Sequence, residues 1–181
     1  MGNMVLDMEG EFFKLAKKIL SKPKNLYKVF AISPHTGRVT VMGADNFMVV
    51  GSSVLRQFSR GKEDRAYRTG YKCGREMFGS LVKEFDEEVK TQGPRKLMDL
   101  GLPLMTNTGW GDLELVSINV SRGEVTVKGE RTIELGYSRA AHHMLTCGLL
   151  SGIVSRAFEK EARGEVVKAG KDSVLFRITA A

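Results

Sequence analysis

Two histidines and a cysteine fall within one short stretch, HHMLTC, from His142 to Cys147. His143 and Cys147 are four residues apart, so on a helix they share a face one turn apart. That pairing suits two chemistries. Structural zinc takes four N, S or O donors in a tetrahedron, and a thiolate with an imidazole is a natural start to such a set. A cysteine beside a histidine base is also the arrangement of a covalent nucleophile. Cys73, in GYKCGRE, is the second candidate thiol, again with His142 or His143 as base. Plainer readings stand beside these. Cys147 suits a small buried hydrophobe, His143 a hydrogen-bonded histidine near a helix start, and Cys73 a residue packed against a partner helix. The chain has no G-x-S-x-G, phosphate loop, dinucleotide fingerprint or H-E-x-x-H. No catalytic residue is therefore assigned.

The elements around them must do the positioning. Gly148 and Gly152 lie four apart, on one helix face. Each costs roughly 0.5–1 kcal/mol relative to Ala in a helix interior, so something packs closely there: another helix, a strand or a ligand. The stretch reads as a helix over about Ser138–Glu161. The strands GEVVKA and SVLFRI follow, with Gly170-Lys171-Asp172 as the turn between them. Upstream, DLELVSINV and EVTVKGE alternate as strands around the turn SRG. A longer helix spans Lys62–Glu88, with a stripe of Tyr67, Tyr71, Gly74, Phe78, Val82 and Phe85 at steps of three and four. Another helix runs over about Pro94–Thr106. FMVVGSSVLRQF, Phe47–Phe58, is apolar nearly all round and reads as a buried helix. KVFAIS and RVTVMG flank PHTG as a hairpin over Lys28–Gly43. Phe12, Phe13, Ala16, Ile19 and Leu20 give Asp7–Ser21 an amphipathic helical pattern that Pro23 ends.

Composition narrows the class. The 181 residues, 42% hydrophobic and 27% charged, suit one globular domain with an extension. No apolar run reaches the roughly 18 residues of a membrane span. The N-terminus has no signal-peptide pattern, and two distant cysteines make no disulfide framework, so a reducing cytoplasm is expected. The net charge of +7 is dispersed, and Glu63 and Asp64 interrupt its densest run, SRGKEDRAYR. Without interleaved aromatics this is no nucleic-acid platform. It reads as a solvated helix face, with a weak acidic partner as the alternative.

The ordered set of hairpin, LRQF, RTGYKCGREM, GWGDLELVSIN, the Gly-xxx-Gly helix, and E-x-x-x-x-G before a last apolar strand resembles the 4-vinyl reductase domain family over about Lys28–Ile178. That resemblance implies an α+β fold, an antiparallel sheet packed with helices, of the nitric-oxide-signalling and Golgi-transport type. The family is similar in fold to the TRAPP tethering subunits and haem nitric-oxide sensor domains. It divides the chain into an N-terminal helical extension, 1–27, and the family-like domain, 28–181. It also implies a stand-alone sensory domain that holds an apolar or aromatic molecule, such as a hydrocarbon, between helices and sheet; the apolar faces of the Asp7–Ser21 and Lys62–Glu88 helices, together with the prevalence of twofold symmetry, point to a homodimer. The alternatives are a non-catalytic assembly protein like the tethering subunits, or an accessory or reductase factor in tetrapyrrole metabolism.

The residues that such a pocket would use are Phe47, Val50, Tyr67, Tyr71, Phe78, Trp110, His143, Met144 and Phe158. Tyr71 and His143 are its polar points. Any one of them also serves as ordinary core. Family members often hold zinc through a Cys before the Gly-xxx-Gly helix and a later Glu-x-x-Cys…Cys. Aligned on Gly148 and Gly152, the first Cys falls near His143 and the Glu on Glu165, but the other thiolates fall near Lys168 and Val174, which cannot serve. Only His143, Cys147 and Glu165 remain as metal candidates, so no cofactor is expected.

Overall fold

Alternation of apolar and polar residues makes the sheet. In the computed structural model, Asp112–Asn119 (β4), Glu124–Glu130 (β5), Ala162–Ala169 (β6) and Ser173–Ala180 (β7) form one antiparallel sheet in the order β4-β5-β7-β6. The structure describes residues 30–32, 39–41, 44–47, 62–84, 91–134 and 142–181. The register sets Val125 opposite Ile178, Val127 opposite Phe176 and Gly129 opposite Val174. All six are buried, on one face. The residues between them, among them Thr126, Lys128 and Arg177, take the other face, as the two-residue period of a strand requires. Gly123, with φ of +66°, turns β4 into β5; a Cβ there would meet the Ala180 carbonyl oxygen at 2.4 Å.

Three helices of this unit stand among the described residues. They are Glu63–Glu84 (α1), Gly93–Met105 (α2) and Met144–Phe158 (α3). α3 is buried nearly all round, from Leu145 to Ser155 and again at Ala157. A helix apolar on every side belongs inside a fold, and α3 packs against α1, α2, β6 and β7. α2 runs into a π-helical turn, Thr106–Trp110, where Gly109 takes φ of +90° and the chain redirects into β4. Thr106 Oγ1 accepts the Leu113 N–H there at 3.0 Å. Phe78, Met98, Leu102, Met105, Leu149, Ile153 and Phe176 are among the fully buried side chains. Each such burial contributes roughly 1.5–3 kcal/mol.

The chain divides into two units, Met1–Val49 and Val50–Ala181. In the first, Phe30–Ile32 (β1), Val39–Val41 (β2) and Ala44–Phe47 (β3) form a three-stranded antiparallel sheet. β1 and β2 are the hairpin expected over Lys28–Gly43, with Phe30 opposite Val41. Phe47 is not the start of a helix. It pairs with Val39 as the last residue of β3. The rest of the expected Phe47–Phe58 helix, the Asp7–Ser21 helix, and the 27/28 boundary lie outside the described residues.

Several boundaries differ from the sequence reading. The last helix begins at Met144 rather than Ser138, because His143 has left-handed backbone angles, φ +55° and ψ 15°, and no helix passes through them. The buried line of α1 runs through Ala66, Gly70, Gly74, Met77 and Phe78. Tyr67 and Tyr71 sit half-buried on its flank.

Candidate functional site

The seam between α1 and α3 is built from glycine. A Cβ on Gly70 would lie 2.1 Å from the Leu145 carbonyl oxygen, and one on Gly74 would lie 2.1 Å from that of Leu149. Reciprocally, a Cβ on Gly148 would meet the Tyr67 carbonyl oxygen at 2.1 Å, and one on Gly152 that of Tyr71 at 2.2 Å. Two small-xxx-small faces therefore bring backbone against backbone, and the occupant of the Gly148–Gly152 face is helix α1. The two tyrosines stack at 6.5 Å beside this seam. The Tyr67 hydroxyl accepts the Gly164 N–H at 2.9 Å. The Tyr71 hydroxyl donates to Glu161 Oε2 at 2.5 Å and lies 2.9 Å from Ser155 Oγ. Arg75 holds the other Glu161 oxygen at 2.9 Å. The Tyr71 hydrogen bond, and then Arg75, hold the Glu161 carboxyl below the usual carboxylate range. These bonds tie α1 to the end of α3 and the start of β6.

The start of α3 carries the polar chemistry. HHM offers no Ser, Thr, Asp or Asn to cap the helix, and His143 makes no capping bond with its side chain. Glu134 does this from outside the helix. Its carboxylate accepts the Leu145 N–H at 3.1 Å and the Thr146 N–H at 2.8 Å, while only 6% exposed. A carboxylate there meets two free backbone donors and the positive end of the helix dipole. Beside this cap, His143 Nδ1 and Thr146 Oγ1 are buried without a hydrogen-bond partner. His143 is 4% exposed and Thr146 is 0% exposed. Burial pushes the His143 pKa down, against a smaller upward pull from Glu134, so the ring is neutral at neutral pH. Buried polar atoms without partners are rare in folded proteins, so two on one helical turn mark this place.

The thiols are not poised for chemistry. Burial pushes Cys147 up to about 12, with Glu134 and Glu165 adding to it. Burial, then Glu76, also raises half-buried Cys73. The nucleophile and the metal ligand are both the thiolate, which these sites disfavour. Glu165 is exposed and lies 3.3 Å from Arg177. Among the described residues no three His, Cys, Asp or Glu side chains are grouped to hold a metal. The set His143, Cys147 and Glu165 does not fit zinc.

Of the other expected pocket residues, Phe78 is wholly buried, and a Cβ on Gly101 would meet its ring at 2.4 Å. Trp110 is half-buried at the end of the π-helical turn, and Met144 and Phe158 are half-buried at the two ends of α3. Phe47 belongs to the first unit, and Val50 lies outside the described residues. Two surface concavities are lined by described residues. One, of about 330 Å³, lies between Pro103, Thr106 and the strands at Asp112–Glu114 and Lys128–Glu130. The other, of about 770 Å³, is an open groove at the start of α1, where His142 Nδ1 lies 2.7 Å from Glu63. None of the expected lining residues borders either one. The sequence reading overlooked Glu134, Thr146, Gly70 and Glu161. Glu134 had a signal: an acid within the apolar run TIEL, upstream of a helix with no capping residue of its own.

No family model matches this chain, and no curated protein does. Solved structures do match. The crystal structure of the phenol-responsive sensory domain of the transcription activator PoxR, with phenol, superimposes with a TM-score of 0.64 at 11% identity, over 98% of this chain and 92% of that one. Trafficking protein particle complex subunit 3 from Naegleria fowleri, covalently bound to palmitic acid, gives a TM-score of 0.50 at 10% identity, over 72% of this chain and 87% of that one. A vinyl-4-reductase family protein from Methanocaldococcus jannaschii covers 99% of both chains at 15% identity, but its TM-score of 0.45 adds nothing to the assignment. The first two likenesses establish the fold. It is the α+β fold shared by that sensory domain and that trafficking subunit, as the sequence resemblance implies. No helix among the described residues is long and apolar enough to cross a membrane.

Proposed function

We propose that this chain is a small-molecule-binding sensory domain that takes an apolar or aromatic ligand among its helices and sheet. It works as a cytoplasmic homodimer, with residues 28–181 as the binding domain. The observation that carries this reading is the match to a phenol-responsive sensory domain across 98% of the chain. Two unpartnered polar atoms at the start of α3 support it, since a ligand site pairs apolar lining with a few placed polar groups. The test is titration of the whole chain with phenol, toluene and naphthalene, followed by calorimetry and thermal denaturation. Binding of one of them at a hundred times its Kd adds about 2.7 kcal/mol, which for a chain of this size raises the Tm by about 5–11 °C. No saturable response to any of the three overturns the reading. Light scattering at one chain's mass would overturn the dimer.

One observation favours a second reading, an assembly protein of the trafficking-subunit kind. The α1–α3 seam is closed backbone to backbone and leaves no room for a ligand between those two helices. A chain that stays dimeric and ignores all three aromatics would fit that reading better.

A further inference from the structure

We propose that the β4 edge of the four-stranded sheet joins two copies of this chain, antiparallel about a twofold axis at Ile118. This rests on the reading of the chain as a homodimer and names the surface that makes it one.

The sheet order leaves two edges, β4 and β6, and among the described residues no strand pairs with the outer side of either. A free edge presents a row of backbone N–H and C=O groups ready to pair with another chain, and proteins guard it with charges, proline or a bulge. Both edges carry a bulge, at Leu115/Ser117 in β4 and at Val166/Lys168 in β6, so the bulge does not tell them apart. The side chains do. β6 has Arg163, Glu165 and Lys168 exposed along its length. In β4 and its turn, the run from Leu115 to Ser121 holds no charge and no proline. Of the three exposed large hydrophobic side chains among the described residues, two stand on this run: Val116, 52% exposed, and Val120, 49% exposed.

The order of residues suits a second copy as the occupant. Glu114 to Arg122 reads E-x-V-x-I-x-V-x-R. Residues two apart share a strand face, and the extra residue of the bulge brings Val116 into step with Ile118 and Val120. Ile118 lies opposite fully buried Val125, so this is the core side of the sheet. Turned about Ile118, the segment meets its own copy with Val116 against the second copy's Val120, twice, and Ile118 against itself. Glu114 at one end then meets Arg122 at the other. Asn119 Oδ1 accepts the Arg122 N–H at 3.1 Å and fixes that end of the strand in its turn. Parallel pairing would instead set Glu114 against Glu114, and like charges directly opposite are destabilising. A twofold interface uses one patch on both chains, and this patch complements itself in charge and in apolar content.

The test is light scattering over a range of concentrations on the whole chain and on Val116→Lys, with Val167→Lys on the β6 edge as the control. Both valines are exposed, so both variants should keep the native circular dichroism spectrum. A twofold interface feels each substitution twice. Val116→Lys should therefore raise the dimer dissociation constant by roughly tenfold or more, and Val167→Lys should leave it unchanged. A second measurement fixes the register and does not depend on those variants. Ile118→Cys, on the twofold axis, should form a disulfide with its own copy under mild oxidation, because opposed residues of an antiparallel pair have Cα atoms roughly 4.5–5.5 Å apart, within reach of that bond. Glu114→Cys, which faces Arg122 rather than itself, should not. A native dimer that Val116→Lys leaves intact, or that Val167→Lys breaks instead, overturns the β4 edge and leaves the homodimer reading standing. Ile118→Cys that stays uncrosslinked overturns the register and the proposal with it. A native chain at one chain's mass at every concentration overturns both the edge and the homodimer reading beneath it.

Discussion

Replacing Gly148 by alanine sets two physical rules against each other. Alanine is the better helix former, and in an unobstructed helix interior the exchange stabilises by roughly 0.5–1 kcal/mol. Here the new Cβ would lie 2.1 Å from the carbonyl oxygen of Tyr67. A relaxed carbon–oxygen contact is about 3.3 Å, so α1 and α3 would have to part by roughly 1 Å. The obstacle is backbone, so no side chain can swing aside. A gap of that size forfeits a quarter to a half of the dispersion attraction between facing atoms. Overpacking costs about 1–3 kcal/mol, and the upper end applies where both sides are main chain. Taking about 3 against the gain of up to 1 leaves a net loss of about 2 kcal/mol. For a domain of this size that lowers the Tm by about 4–8 °C. The control is Gly79→Ala on α1, where the new Cβ would meet only the Arg156 side chain, at 3.3 Å. A long arginine gives way easily, so this variant should match or exceed the native chain. Urea and thermal denaturation measure both. If Gly148→Ala proves as stable as the native chain, the helices do not meet at that distance and the account of the seam is wrong.

Further predictions follow from the start of α3. Glu134→Ala leaves two helix donors without their acceptor, and each unsatisfied buried group costs about 1–3 kcal/mol. Its urea midpoint should therefore fall well below that of Glu124→Ala, an exposed control expected to stay within about 0.5 kcal/mol; equal midpoints would remove the cap from the account. Because burial lowers the folded-state pKa of His143, the unfolded chain binds the extra proton. Stability should therefore be unaffected by this residue above about pH 6.5 and fall as pH drops below it. Titratable Glu134 and His142 act on the same ring, so the comparison is with His143→Asn, which tolerates the left-handed backbone and should flatten the slope. Cys147, pushed up to about 12, should resist thiol reagents at pH 7 until the chain unfolds; labelling of the native protein at the rate of a free thiol would contradict its burial.

Local pattern made much of the second unit legible. Alternation placed β4 and β5 to within a residue, and the turn Gly170-Lys171-Asp172 separates β6 from β7 as read. The 3.6-residue period placed the starts of α1 and α2 within one residue, at Glu63 and Gly93. The Gly148–Gly152 spacing announced a close approach, and one is there. What it could not say was which element approached. The answer, Gly70 with Gly74, is a second four-residue spacing. The stripe read on this helix holds Gly74 but passes over Gly70, because an apolar stripe is counted mainly by its large side chains. Counting Tyr67, Tyr71 and Phe78 shifted the stripe towards the flank, whereas the true contact line runs through residues with almost no side chain. Tyr67 and Tyr71 are only half-buried because their hydroxyls reach out to Gly164 and Glu161.

The start of α3 shows where pattern stops and tertiary structure takes over. A helix signal was read back to Ser138, yet the helix opens at Met144, and the cause is partly remote. Helix ends are set by whoever satisfies the first backbone donors. Where the sequence supplies a local cap, the boundary is readable. Here the cap comes from Glu134, more than two helical turns' worth of chain upstream, and it acts only because the fold buries it beside Leu145 and Thr146. The same arrangement explains why His143, singled out first as a metal or catalytic candidate, has a different character in the fold. Cys147, its neighbour one turn on, is held as a thiol. Glu165 faces solvent and Arg177. The residue that does share the environment of His143 is Thr146, which no motif marks. What the fold brings to this end of α3 is a buried imidazole, a buried hydroxyl and a helix capped from a distance, a set assembled by tertiary structure and marked by no local pattern.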